Sequence, residues 1–422
     1  MANTFGKQTL VQKEAFYQFS QTGKISQNID WRSDDFTPSE NIGGSKTYRR
    51  PARVQTSRRT VLTDGSVPVG AQTLTSFSEP LVTLNITQAF EANLGISLDD
   101  ATFALSKEQV ITRHLAPAAR KLRNQIDTYL GQVALLYSGN VVGNPASPST
   151  GSAARDVFAS AQELLNSRGR EDDGDSVAIV SEKLSTQLTV GQLALFNPNK
   201  AVEKLYRKGL MGEFAGFDFY RSPLLPSDRV TATGTVTVNG ANQSAGAIWT
   251  QTWNLITAGW NSATVPAGTK IRISNSGTPI NWVHPDTFVD SGIAATFTVT
   301  QTATVTGGAA TLVLSEPLVG PGQSPDAYQN VTAIPANGAT ITIVSSATAP
   351  QASLVFDRKA IIGASPKIAL PKNLDSQAQE NINGINVAII ESHDPYTLSK
   401  IHIMKAYVGA VVYLPEFVAS VY

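Results

Sequence analysis

SKEQVITRHLAPAARKLRNQIDTYLGQVALLY, residues 106–137, is the stretch whose reading sets the architecture. Ser106 followed by Gln109 has the form of a capping box, in which two side chains satisfy backbone donors left over at a helix start. After it Ile111, Leu115, Ala118, Leu122, Ile126, Tyr129, Val133 and Tyr137 recur at three- and four-residue steps, one apolar face along a helix. At about 1.5 Å per residue the rod would be roughly 48 Å long. Pro117 lacks a backbone donor, so it kinks this rod or begins its second part. Such length suits the spine of an extended molecule better than a compact domain.

Both flanks of the rod mix helices and strands. Downstream, a helix over 153–167 is expected to stop at Gly169, a residue suited to a left-handed cap. A buried strand over 176–180 follows, with Ser181 placed to cap the next helix, and another helix is expected over 200–208. Two apolar runs, 385–390 and 401–414, read as paired long strands. Upstream, residues 7–19 fit a short amphipathic helix. Residues 45–60 then carry Lys46, Arg49, Arg50, Arg53, Arg58 and Arg59 with no acid. With the strand-like stretch 74–86 they predict a two-stranded arm with a basic leading strand, marginal alone and so laid on something else.

Between residues 229 and 349 the composition breaks. Only Arg229, Lys270 and Arg272 are basic there and only Asp286, Asp290, Glu316 and Asp326 acidic, while Trp249, Trp253, Trp260 and Trp282 all fall inside. Thr/Val alternations at 230–238 and 295–305, and further runs at 269–274, 310–315 and 340–345, have the period of half-buried antiparallel strands. Turn residues separate them at Asn239-Gly240, Pro266-Ala267-Gly268, Gly307-Gly308 and Pro321-Gly322. The reading is an inserted all-β barrel or sandwich.

Composition excludes several functions. The 422 residues hold 33 Lys+Arg, 33 Asp+Glu and no cysteine. Disulfides, thiol catalysis and cysteine-based metal sites are ruled out, and charge balance argues against a dedicated nucleic-acid binder. No run approaches a membrane span, and the first residues lack a secretory pattern, so synthesis in the cytosol is expected.

Catalytic motifs are equally absent. There is no Gly-X-Ser-X-Gly elbow, and His114, His284, His393 and His402 show no zinc-binding spacing. His402 alternates within a strand pattern and is expected to face outward. Gly43-Gly44-Ser45-Lys46-Thr47 lacks the order of a phosphate loop. Around Gly174, the cluster Glu171, Asp172, Asp173 and Asp175 fails the calcium-loop test, because Val180 stands where a bidentate acid is needed. No catalytic, cofactor or metal residues are assigned. The basic stretch reads best as a docking arm whose partners are acidic clusters on another copy: Asp34-Asp35, Asp99-Asp100 and Glu171 to Asp175.

The order of these parts, with Leu81-Val-Thr-Leu-Asn85, Ala118-Ala-Arg-Lys-Leu122, Gly216-Phe-Asp218 and Arg221-Ser-Pro223, resembles the major capsid proteins of tailed bacteriophages. More narrowly it resembles short-tailed phage coat proteins that carry an inserted β-barrel domain. The resemblance implies an α+β fold of the Hong Kong 97 type. Its parts would be an N-terminal arm (1–36), an extended loop (37–86), a peripheral domain with the spine helix (87–139), an axial domain (140–228 and 350–384), the insertion (229–349) and closing strands (385–422). The implied function is self-assembly into an icosahedral phage head around double-stranded DNA, the DNA being non-specific cargo.

Implied partners are other copies in hexamers and pentamers, a separate scaffolding protein, a portal protein and a decoration protein, with no membrane. The protein would be made in the host bacterial cytoplasm and reside in the virion. Lys46, Arg49, Arg50, Arg53, Arg58 and Arg59 are the expected inter-subunit cations, and Glu171, Asp172, Asp173 and Asp175 their counterparts. A tail or receptor-binding protein that processes polysaccharide is the rival, but sugar cleavage needs paired carboxylates and only Asp286 and Asp290 lie close in the β segment. Another self-assembling lattice protein is the third reading.

Overall fold

The computed structural model describes residues 13–20, 23–36, 44–53, 79–97, 115–170, 175–193, 213–227, 230–241, 243, 252–323, 328–370, 376–394 and 399–422. Residues 13–20 form helix α1. Strands β1 (Ser45–Arg49) and β2 (Leu81–Asn85) precede β3 (Gln88–Ser97) and helix α2 (Ala116–Tyr137). Next come β4 (Asn140–Val142), α3 (Ser152–Ser167), β5 (Ser176–Val180), α4 (Glu182–Leu193) and β6 (Phe217–Arg221). The uncharged segment supplies β7 (Gly234–Val238), β8 (Trp253–Trp260), β9 (Lys270–Asn275), β10 (Thr296–Thr298), β11 (Ala309–Leu314) and β12 (Thr340–Ile343). After it run β13 (Ser353–Asp357), β14 (Ile361–Ala364), β15 (Ser376–Ile382), β16 (Ile385–Asp394), β17 (Ser399–Val412) and β18 (Val418–Val421).

Pro117 is the second residue of α2, and Leu115 before the helix also has helical backbone angles. Residues 106–114, which carry the expected capping box, lie outside the described residues, as do the 200–208 helix, His114 and Trp249. The buried face of α2 is turned from the expected stripe. Ala119, Leu122, Ile126, Leu130 and Ala134 are its fully buried apolar residues, and Arg123 and Asp127 are buried with them. Both charges have work under the N-terminal segment. Asp127 accepts the backbone N–H of Lys24 (2.7 Å), Ile25 (3.3 Å) and Ser26 (3.1 Å), and Arg123 lies 4.9 Å from the Phe19 ring centroid. Burial pushes the Arg123 guanidinium down to about 10, with Asp127 pulling the other way.

One mixed sheet runs β4-β18-β13-β5-β6, with Glu213–Phe214 on its edge. All residues of β5, β13 and β18 are buried, and the two-residue alternation divides them between two cores. Val177, Ile179, Leu354 and Phe356 face the α2 side. Ala178, Val180, Val355, Ala419 and Val421 face α3 and α4. Gly169 ends α3 at φ +87, and the Ser181 hydroxyl accepts from Leu184 N at 3.5 Å at the start of α4.

A second sheet joins Asp30–Trp31, β14, β17, β16 and β15, with β3 also on β17. The two C-terminal apolar runs are thus paired neighbours, Ala388↔Lys405 through Asp394↔Ser399. His402 is a correction to the outward placement: it is buried opposite Glu391, with Nδ1 3.4 Å from Oε1. It shares the face of Met404, Ala406 and Val408, which α2 covers, so strand parity carries it inward.

The third sheet is built from β9, β12, β7, β8 and β11, with β10 on the other edge of β9. Ser315 N donates to Thr298 O at 2.9 Å and Thr300 N to Val313 O at 2.8 Å, so the hydrogen bonding passes from β10 to β11 and runs round a ring of six strands. Trp253, Trp260, Trp282, Phe297, Leu255, Leu312 and their neighbours in this unit form an apolar cluster of their own, which Leu164 of α3 joins.

Candidate assembly surfaces

The arm begins as the β1–β2 hairpin, in register from Ser45↔Asn85 to Arg49↔Leu81. Val82 and Leu84 are buried while Leu81, Thr83 and Asn85 are exposed. The inward set, with Ile86, packs on Phe36, Ile362, Ala364, Tyr407 and Val411, which supplies the support that a lone hairpin lacks. The opposite face is open.

The basic residues divide into two groups. Arg49 pairs with Glu79 at 3.0 Å across the hairpin, and its side chain stays 75% exposed. Lys46 sits on the same strand. Arg50 pairs with Glu416, and Arg53 approaches the same carboxylate at 3.5 Å. The Tyr328 hydroxyl accepts from Arg53 N at 3.1 Å and the Tyr413 hydroxyl donates to Arg49 O at 2.7 Å. Arg50 and Arg53 therefore bind the arm's root to its own subunit. Arg58 and Arg59 lie outside the described residues.

Glu416 belongs to a larger buried cluster. Arg168, just past α3, donates to Asn140 Oδ1 at 2.8 Å and pairs with Glu316 of the β unit. Its guanidinium lies 3.8 Å from the Trp282 ring centroid, a cation–π contact. Asn140 Nδ2 in turn donates to Glu416 O at 2.9 Å and Val418 O at 3.0 Å. Burial pushes the Glu416 carboxyl up, but Arg50, Arg53 and Arg168 outweigh it and hold it below the usual range. Around these groups lies a cavity of about 360 Å³, walled by the arm root, the β unit and residues 414–417. One set of charges thus joins arm, β unit, α3 and the short 3-10 turn Pro415–Phe417 before β18.

Of the acidic loop, Glu171, Asp172 and Asp173 lie outside the described residues. Asp175 is 3.2 Å from Arg358 and 3.5 Å from Lys359, and Arg358 also holds Asp218 at 2.8 Å. Sequence reading missed Arg123, Asp127, Arg168, Glu316 and Glu416. The available sign for the two glutamates was isolation: each is a single acid in an apolar run, LVLSEPLVG and VYLPEFVAS.

Asp290 accepts from Asn281 Nδ2 at 3.1 Å and Gly292 N at 2.8 Å, as a turn residue does. Trp253, Trp260 and Trp282 are core. An arm raised from a two-sheet core beside a spine helix and a separate β unit is the build of a phage major capsid protein of the Hong Kong 97 type, a mixed α+β fold.

The family is specific. A model of the P22 coat protein family (P22 coat protein, gene protein 5) matches residues 1–420, and the chain belongs to that family. It is a major capsid protein that forms a phage head. Among solved structures it is similar to that of Mycobacterium phage Che8, at 11% identity over 95% of this chain and 91% of that one, TM-score 0.48. It is also similar to the capsid of cyanophage P-SCSP1u, at 11% identity over 90% and 84%, TM-score 0.47. A third is the mature capsid of bacteriophage PhiM1, at 10% identity over 95% and 86%, TM-score 0.44. No curated protein matches the chain.

Proposed function

We propose that the subunit closes into an icosahedral shell of hexamers and pentamers around double-stranded DNA, each arm lying on a neighbour. The observation that carries this reading is the hairpin with one face seated on its own core and the other open. Lys46 and Arg49, with Arg58 and Arg59, make the contacts between subunits, and Glu171, Asp172 and Asp173 are their counterparts. Arg50 and Arg53 anchor the arm at Glu416, and Asp175 steadies the loop through Arg358. Each exposed pair is worth under about 1 kcal/mol, and repetition around a ring makes the sum large.

The β unit acts as the inserted barrel domain that steadies the subunit. A separate scaffolding protein directs closure, a portal protein occupies one vertex, and a decoration protein can bind the finished shell. The role is structural and without catalysis, in the virion after synthesis in the host bacterial cytoplasm. No described helix is long and apolar enough to cross a membrane.

The test is electron microscopy of the protein expressed with its neighbouring genes, beside a variant carrying Lys46→Glu, Arg49→Glu and Arg58→Glu. Closed shells of regular size from the parent, and folded subunits without regular shells from the variant, are expected. A persistent parent monomer overturns the shell, and normal shells from the variant overturn the charge assignment.

A further inference from the structure

The paired part of the arm stops at two prolines. Arg50 N donates to Pro80 O at 2.8 Å, the last backbone rung of the hairpin among the described residues. Pro51 and Pro80 have no N–H with which to continue the ladder. Past them the chain changes its support from backbone to side chains. Arg53 N donates to the Tyr328 hydroxyl of the β unit at 3.1 Å, and the guanidinium groups of Arg50 and Arg53 lie on Glu416. Pro51, Ala52 and Pro80 all border the 360 Å³ cavity, so the bend has free space beside it.

The charges at this bend are arranged unequally. Both arginines reach one oxygen, Glu416 Oε1, with Arg53 Nη2 at 3.5 Å. The other oxygen, Oε2, is buried and accepts no hydrogen bond from the described residues. A carboxylate accepts through both oxygens, and a well-seated arginine spans the two as a fork. Here two like charges crowd one oxygen while its twin stands empty. Buried polar atoms are normally paired, and such conflicts collect where a protein changes state.

We propose that residues 50–53 are a hinge with two settings: Arg50 holds Glu416 in one, Arg53 takes the carboxylate over through Oε2 in the other, and the chain turns at Pro51 between them. The inference rests on the shell-forming reading, in which copies of one sequence meet at the different angles of hexamers and pentamers. The arm must then change direction without letting go of its subunit. With a single arginine the turn would strand a buried carboxylate, which locks the root in place. With two in reach, one is always paired, and the arm stays fastened in both settings. Tyr328 selects between them. Its hydroxyl holds Arg53 N in the setting described, and release of that bond frees Arg53 to advance into the cavity. The β unit thereby sets the direction of the arm.

Electron cryo-microscopy of shells of the parent chain reads the pairing at each symmetry-distinct subunit. Arg50 on Glu416 at some positions and Arg53 at others, with the arm turning accordingly, is the expected result. The same pairing at every position overturns the hinge and leaves the shell reading standing, whereas a parent that forms no shells overturns both. Arg53→Gln supplies a second measurement, because it removes one setting and keeps the Arg50 pair. Arg53 is 31% exposed in its side chain, so unassembled Arg53→Gln subunits should melt within about 1 °C of the parent and yet close into irregular or open shells. Regular shells of parental size from this variant overturn the proposal. A loss of Tm as large as that of Arg50→Gln marks Arg53 as a plain anchor and overturns it too. Tyr328→Phe should raise the share of positions at which Arg53 holds Glu416, and an unchanged share removes the selecting role of Tyr328.

Discussion

Replacing Glu416 by Gln tests whether the buried charge cluster holds the arm to its subunit. The substitution keeps the side chain's shape and removes the only carboxylate that Arg50 and Arg53 share among the described residues. Deleting one partner of a fully buried pair costs about 3 to 5 kcal/mol, mostly because the other charge stays behind unpaired. Arg50 and Arg53 keep 19% and 31% of their side-chain exposure, so water recovers part of that loss, and about 2 to 3 kcal/mol is expected. In a cooperative unit of 422 residues that lowers Tm by about 2 to 3 °C.

The pH dependence has a definite sign. The Glu416 carboxyl is held below its ordinary value of 4.5 in the fold. Its contribution is therefore complete above the unfolded value and is lost as pH falls through the lower folded value. The stability gap between parent and Glu416→Gln should stay flat through neutral pH and close only in acid. Adding Arg50→Met removes the stranded charge and should recover part of the loss. Thermal and urea unfolding of unassembled subunits supply the measurements. A gap below about 0.5 kcal/mol at pH 7, or no recovery in the double variant, refutes the reasoning.

Trp282→Ala empties a site packed against Phe297 at 5.3 Å between ring centroids, and should cost about 3 to 5 kcal/mol. Hydrogen exchange should show the loss concentrated in the β unit; uniform loosening of the whole chain would contradict a separate core. Gly169→Ala places a Cβ at φ +87 and 2.5 Å from Pro285 Cγ, so a loss of at least about 1 kcal/mol is expected, and an unchanged melting curve argues against the contact. Asp127→Ala removes the acceptor for three backbone N–H groups and leaves Arg123 buried without its nearby countercharge. It should expose Lys24 to trypsin many times faster, with cleavage at the parent rate as the contrary result.

Much of the scaffold was legible because burial on two faces or one leaves a period in the sequence. The run Ser176–Val180 is apolar because helices and sheet cover both its faces, while Gly234–Val238 alternates because only one side meets the ring's interior. The α2 stripe was read a fraction of a turn away from its true centre. Arg123 and Asp127 look like solvent-facing residues in a helical wheel, and only the folding back of residues 23–26 and Phe19 makes them interior. His402 failed for a related reason. Periodicity shows that one face of a strand differs from the other, and a single histidine on the apolar parity is consistent with either side until its partner, Glu391, is placed opposite it.

The pairings within the charge cluster could not be read from the sequence, because its members are far apart along the chain. Arg50, Arg168, Glu316 and Glu416 come from four segments, and none carries a local pattern that names its partner. What the sequence offered was a density of arginine in the arm, which treats Arg49, Arg50 and Arg53 as equivalent. Strand parity separates them. Arg49 projects from the exposed side of β1, while Arg50 and Arg53 follow the end of the paired region, where the chain turns over Glu416. A surface arginine can rearrange toward a neighbour at little cost, whereas a buried one cannot leave without stranding its carboxylate. The same basic stretch therefore provides both a fixed root and a free contact surface. A uniform charge reversal across it would confuse folding defects with assembly defects, and substitution at Arg49, on the exposed side of β1, separates the two.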